Sequence, residues 1–141
     1  MADSVATHVL CNSEKHYVVH LVNASDGTGE SAVVKADKST LLASDGAEPG
    51  SLDICQIRWS IQGFSRVLLY WDHTTDDLAM ALCGSGYEDF TQLIKDTRLG
   101  GGGPLNDPRS SGGTGDVLLT APSGATTGSY DITIWFHKNP D

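Results

Sequence analysis

Basic clusters, long apolar runs and paired cysteines are all missing from this sequence, and each absence closes a class of function. The chain carries 9 Lys and Arg against 18 Asp and Glu, a formal charge of −9. No window gathers the cations that tracking a phosphate backbone demands, so nucleic acid is not an expected partner. Apolar runs are short, five residues from Val67 to Trp71 and six from Leu78 to Cys83, where a membrane-spanning helix needs about 20. The N-terminus shows no basic stretch followed by an apolar core, and the expectation is a chain made in a cytoplasm, with no membrane partner. Cys11, Cys55 and Cys83 are odd in number and far apart. Each sits beside apolar strand-like residues, so small buried thiols are expected in place of a disulfide framework. Without export, the sequon Asn23-Ala24-Ser25 is a chance match.

What is present describes one domain spanning residues 1–141. At 39% hydrophobic and 19% charged, the chain is too apolar for a disordered one, and its 16 glycines imply many turns. No segment repeats its apolar residues every 3.6 positions, whereas several alternate strictly, which is the pattern of strands. From Lys15 to Asn23, Tyr17, Val19 and Leu21 alternate with His16, Val18 and His20, giving one dry and one mixed face. Ser25-Asp26-Gly27-Thr28-Gly29 supplies turn chemistry, and Glu30 to Lys35 resumes as a strand, a first hairpin candidate. Asp37 to Ser51 reads as a long connection. In the strand from Leu52 to Ile61 the apolar parity changes between Ile54 and Ile57, which predicts a bulge. Arg66 to Asp72, apolar on both faces, is expected to be central or covered, with Leu78, Met80 and Leu82 on its antiparallel partner. Phe90 to Ile94 is ambiguous between strand and helical turn. A Gly-rich loop fills about 99–115, followed by strands at Asp116 to Thr120 and Tyr130 to His137. With Val5 to Cys11 as a short N-terminal arm, the count is eight strands. The expected fold is an all-β antiparallel sandwich, jelly-roll-like, with an immunoglobulin-like sandwich as the alternative.

Residues that could carry chemistry lack the context it needs. Trp71-Asp72-His73-Thr74-Thr75-Asp76-Asp77 holds three carboxylates and an imidazole, but Asp and Thr serve turns, and the glycine and terminal Glu of a calcium loop are absent. His16 and His20 share a strand face about 13 Å apart, too far to chelate one ion. His8 and His137 could meet if the terminal strands pair. Gly84-Ser85-Gly86 has no nucleophile elbow around it, and Ser25 to Glu30 has no phosphate-binding Lys. Glu30, Glu88 and Asp89 could act as a glycosidase pair only if the fold brought them together. No enzyme, metal or cofactor is expected.

Several segments carry a resemblance. Val22-Asn23-Ala24-Ser25-Asp26-Gly27-Thr28-Gly29-Glu30-Ser31-Ala32-Val33-Val34-Lys35 is followed by Ile57-Arg58-Trp59-Ser60, Leu69-Tyr70-Trp71-Asp72, Tyr87-Glu88-Asp89-Phe90, Gly113-Thr114-Gly115-Asp116 and Tyr130-Asp131-Ile132-Thr133. In that order, over Tyr17 to Lys138, they resemble small virion structural proteins of tailed bacteriophages, especially marine and cyanobacterial phages. The resemblance implies a capsid decoration or cement protein on the outer surface of the head. Its partners would be the major capsid protein and, as a homotrimer, itself. The stretch Gly100 to Gly113 is foreign to that pattern. Contacts are expected on the N-terminal arm at Val5, His8 and Leu10, and on the loop at Leu99, Gly101, Pro104, Leu105 and Asn106, where exposed apolar and backbone groups need partners. Two other classes share the architecture: a tail or fibre component, and a carbohydrate-binding module stacking sugars on Trp59, Trp71 or Trp135.

Overall fold

The computed structural model describes residues 3–90, 105–106, 113–122, 124 and 127–139. They form ten strands: β1 (Ser4–Asn12), β2 (His16–Ala24), β3 (Glu30–Ala36), β4 (Ser51–Gln62), β5 (Val67–Trp71), β6 (Asp77–Leu82), β7 (Ser85–Asp89), β8 (Leu105–Asn106), β9 (Val117–Ala121) and β10 (Ser129–Asn139). One 3-10 turn, Lys38–Thr40, lies in the long connection after β3. The pairing is nested: β5 with β6, β4 with β7, β3 with β9, and β2 with β10, all antiparallel. Eight strands thus make one long hairpin whose tip is β5–β6. The hairpin is rolled up, so that β10 also pairs with β4, and β9 with β5.

Rolling produces an all-β sandwich of two antiparallel sheets. The first runs β1-β2-β10-β4-β7, with β8 also on β4, and the second runs β3-β9-β5-β6. Strand alternation then fixes the core. Tyr17, Val19 and Leu21 on β2 face inward with Ile132, Ile134 and Phe136 on β10 and Ile54, Ile57 and Ile61 on β4. They meet Leu69 and Trp71 on β5 and Val117 and Leu119 on β9. β5 lies inside its sheet, as its two apolar faces imply. The predicted bulge is present: Trp135 pairs with Gln56 and the next residue, Phe136, with Ile54, leaving Cys55 as the extra residue.

Other expectations are corrected. β2 and β3 are not a hairpin, because the turn between them carries the chain from one sheet to the other. The pairing partner of β2 on that side is β1, through the tight turn at Asn12 to His16. Ser85–Asp89 is a strand and not only a turn. Gly86 lacks a Cβ there because the Trp59 ring occupies that space, with Cζ2 only 2.5 Å from where a Cβ would stand. Only Cys55 is buried, and Cys11 and Cys83 are exposed.

A polar cluster fastens the two sheets together at one end. Glu30, at the start of β3, accepts hydrogen bonds from Tyr130 Oη at 2.5 Å and Asn23 Nδ2 at 2.8 Å, both on the opposite sheet. Its other oxygen lies 2.6 Å from Lys35 Nζ, and both side chains are almost fully buried. Burial and the Glu30 carboxylate push the Tyr130 phenol far above its ordinary pKa, so it remains a donor. Removing one member of a buried ion pair leaves the other uncompensated, at a cost of about 3–5 kcal/mol, whereas replacing both with apolar groups is much less damaging. Lys35→Met is therefore expected to lower the urea midpoint strongly, and Lys35→Met with Glu30→Met to recover part of that loss. Gly63 is the second test: its φ is +79°, and a Cβ would fall 2.7 Å from the Gly128 backbone. Gly46 shares the positive φ with open space around it. Equilibrium unfolding should show Gly63→Ala costing more than Gly46→Ala, which carries only the backbone strain of about 1 kcal/mol.

Candidate interaction surface

β1 has no buried residue and is the most exposed of the long strands among the described residues. All nine residues from Ser4 to Asn12 are exposed except Ala6, which is half-buried. It pairs with β2 along one side only, with Val5 opposite Asn23, Thr7 opposite Leu21 and Val9 opposite Val19. Those β2 residues point into the core, so Val5, Thr7 and Val9 stand on the core-facing side of the first sheet. They lie beyond the cover of the second sheet, however, with Val5 47% and Val9 53% exposed. Leu10, 60% exposed, falls at the bulge between Val9 and Cys11. Among the expected contact residues, Val5, His8 and Leu10 thus share one exposed strand. Leu99, Gly101 and Pro104 lie outside the described residues. Leu105 and Asn106 form β8, whose backbone pairs with Ile54 and Asp53 of the same chain.

An exposed strand without core contacts is held straight by its ends. Asp3, immediately before β1, accepts hydrogen bonds from Asn23 Nδ2 (3.0 Å), Ser25 Oγ (3.1 Å), Asp26 N (3.2 Å) and Gly29 N (3.1 Å). The turn Ser25 to Gly29 is therefore wrapped around a carboxylate, and Asp3 also joins β1 to the Asn23–Glu30 cluster. At the other end, Lys138 Nζ donates to Asn12 Oδ1 (2.6 Å), Ser13 O (2.6 Å) and Leu42 O (2.8 Å). Burial lowers the Lys138 pKa, and nearby Cys11 opposes that shift. Neither anchor was read from the sequence. Lys138 had one visible signal, a lone cation directly after an alternating apolar strand, and Asp3 had none.

The outer face of the first sheet carries paired imidazoles. His8 and His20 are direct cross-strand partners with ring centroids 5.8 Å apart, and His20 Nε2 lies 2.5 Å from Asp131 Oδ1. His16 and His137 are likewise partners, 5.6 Å apart. His8 and His137 do not meet, because β2 separates β1 from β10. His73 is buried, with Nδ1 2.7 Å from Asp77 Oδ2, inside a turn where Asp76 accepts from His73 N and Asp72 from Thr114. Among the described residues, no three His, Cys, Asp or Glu side chains are placed to hold one metal ion. The three tryptophans separate. Trp71 is core, Trp59 packs on the core and donates to Cys83 O, and Trp135, half-buried, lies on the outer face. Trp59 and Trp135 are thus both part-exposed, and Trp59 also lines an open groove of about 290 Å³ with Arg58, Ser85 and Asp131.

An open groove of about 510 Å³ lies between the β1–β2 turn and the connection after β3, lined by Ser13, Glu14, Thr40, Leu42 and Lys138. It offers no free cation, since all three Lys138 N–H groups are engaged. Among the described residues no helix is long and apolar enough to cross a membrane. Compared with protein-family models, with curated proteins and with solved structures, the chain matches none.

The anchoring of β1 responds to acid with a definite sign. Burial by itself raises the Asp3 pKa, but the hydrogen bonds from Asn23, Gly29, Asp26 and Ser25 outweigh it and hold the carboxyl below its ordinary value. A depressed carboxylate stabilises the fold above its unfolded value of about 3.9, and that contribution is lost as pH falls through the folded value. Hydrogen exchange should show β1 losing protection in acid before β10 does. Asp3→Asn should remove that pH dependence and lower β1 protection at neutral pH.

Proposed function

We propose that this chain is a non-catalytic virion component of a tailed bacteriophage, a capsid decoration or cement protein. It binds the outer surface of the head and bridges neighbouring major capsid protein subunits. The observation that carries the reading is the strand pairing. We read the eight-strand hairpin rolled into β2-β10-β4-β7 and β3-β9-β5-β6 as a jelly roll, an architecture that recurs in viral capsid proteins. An immunoglobulin-like sandwich groups its first, second, fourth and fifth strands in one sheet, which this pairing does not. Architecture argues by analogy, and here it joins the sequence resemblance to phage virion proteins.

The surface chemistry supports the same reading. The Asp3, Glu30 and Asp72 clusters are spent on turns and on joining the sheets. What is presented outward is a preformed strand with the apolar side chains of Val5, Val9 and Leu10 and the imidazole of His8, suited to many weak contacts multiplied by the symmetry of a shell.

The test is where the protein sits on intact particles and in how many copies, by imaging purified virions and labelling them with an antibody to this chain. Hundreds of copies over the outer shell are expected. A few copies at the tail would move the assignment to a tail or fibre component, and absence from the particle would end the virion reading. Leu10→Asp, at an exposed site, is expected to lower shell occupancy without lowering thermal stability.

A further inference from the structure

We propose that the free edge of β1 seats a second copy of this chain, paired antiparallel across a two-fold axis through Thr7. The inference does not depend on the virion reading.

Five strands have a single partner: β1, β7 and the two-residue β8 in the first sheet, β3 and β6 in the second. With two residues, β8 is too short to seat a ladder. Copies of a chain with charge −9 repel wherever carboxylates meet. β7 carries Glu88 and Asp89, and β6 begins at Asp77 beside Asp76. β3 is broken by two register shifts and turns through a positive φ at Ala32, so it presents no regular ladder. β1 contains no Asp, Glu, Lys or Arg. It is also regular from Ser4 to Val9, and among the described residues no strand occupies its outer side. Proteins protect such edges with charge, proline or distortion. The regular part of β1 has none of these, and its outward-pointing N–H and C=O groups form a ladder that is open on one side.

The sequence of the edge is complementary to its own reverse. With Thr7 on the axis, Thr7 faces Thr7 of the second copy, Val5 faces Val9, and Ala6 faces His8. The side chains on the core-facing side then form a β-branched row, Val5-Thr7-Val9 against Val9-Thr7-Val5, the kind of cross-strand pairing that sheets favour. The register stops short of the bulge after Val9. It needs no rearrangement, because Asp3 and Lys138 already hold both ends of the strand, and little ordering is lost on binding. A self-complementary strand meets its copy on a two-fold axis, in place of the trimer that the family resemblance implies. One strand pair buries less than the usual stable interface, so association is weak in dilute solution and grows where copies are concentrated.

Sedimentation equilibrium of the full chain up to about 1 mM should show a monomer–dimer equilibrium, and Thr7→Lys, which sets two like charges on the axis, should shift it to monomer. Cross-linking fixes the register. In a Cys11→Ser, Cys83→Ser background, Thr7→Cys should form a disulfide dimer on mild oxidation, since opposed residues of an antiparallel pair lie about 4.5–5.5 Å apart at Cα. Val5→Cys alone should not, whereas Val5→Cys mixed with Val9→Cys should. Thr7, Val5 and Val9 are exposed, and an unchanged melting temperature confirms that each variant folds. A monomer at every concentration without Thr7→Cys cross-linking, a trimeric mass, or equal cross-linking by Val5→Cys alone would each overturn the proposal.

Discussion

A carboxylate enclosed between two sheets has to be neutralised and hydrogen-bonded, or the sheets open around it to let water in. Glu30 meets that demand with groups from both sides: Lys35 from its own strand, and Tyr130 and Asn23 from the facing sheet. The geometry this imposes reaches well beyond one ion pair. β3 leaves the turn in the second sheet, Asn23 is fixed at the end of β2, and Tyr130 sets the start of the long central strand β10. Asn23 then passes a hydrogen bond on to Asp3, so the position of the exposed strand β1 is set by the same cluster that joins the sheets.

The surface strand is thus as well determined as the interior, though it buries almost nothing. Its side chains supply little hydrophobic energy, and order comes from the ladder with β2 and from an anchor at each end. Ordering a strand costs entropy whether the cost falls on folding or on binding. Here it has been met on folding, and the strand stands ready with its outer ladder unused. An edge of this kind is expensive to keep exposed unless something pairs with it.

Much of the fold could be read from residue parity. Tyr17, Val19 and Leu21 alternate because β2 has one dry face, and the break in parity between Ile54 and Ile57 marked the bulge at Cys55. β5, apolar on both faces, lies between β9 and β6, with Val67, Leu69 and Trp71 buried in the core and Leu68 and Tyr70 half-buried on the other face. What parity could not supply was pairing between distant segments. The turn at Ser25 to Gly29 has the chemistry of a hairpin turn, yet it crosses between sheets, because Asp3 and Glu30 hold its two ends. β7 was hidden because an edge strand with Ser85, Gly86 and Glu88 has no apolar alternation, and Gly86 is needed for the Trp59 ring. The exposure of Cys11 and Cys83 follows from an edge strand and a strand end, neither visible before pairing is known.

The candidate surface was legible in part, and the reason is the same. Val5, His8 and Leu10 stood out because apolar side chains and backbone groups near a terminus have few local partners, and the fold leaves that strand exposed. Val9 and Thr7 passed unnoticed, since their significance depends on lying opposite Val19 and Leu21 and yet beyond the reach of the second sheet. That offset exists because the first sheet has one strand more on this side than the rolled hairpin requires. β1 lies outside the nested pairs, joined only to β2, and removing it would leave the eight-strand roll complete. A strand that the sandwich does not need for its own closure, without Asp, Glu, Lys or Arg in an acidic chain and pinned at both ends, is for these reasons the edge we propose for pairing with a second copy.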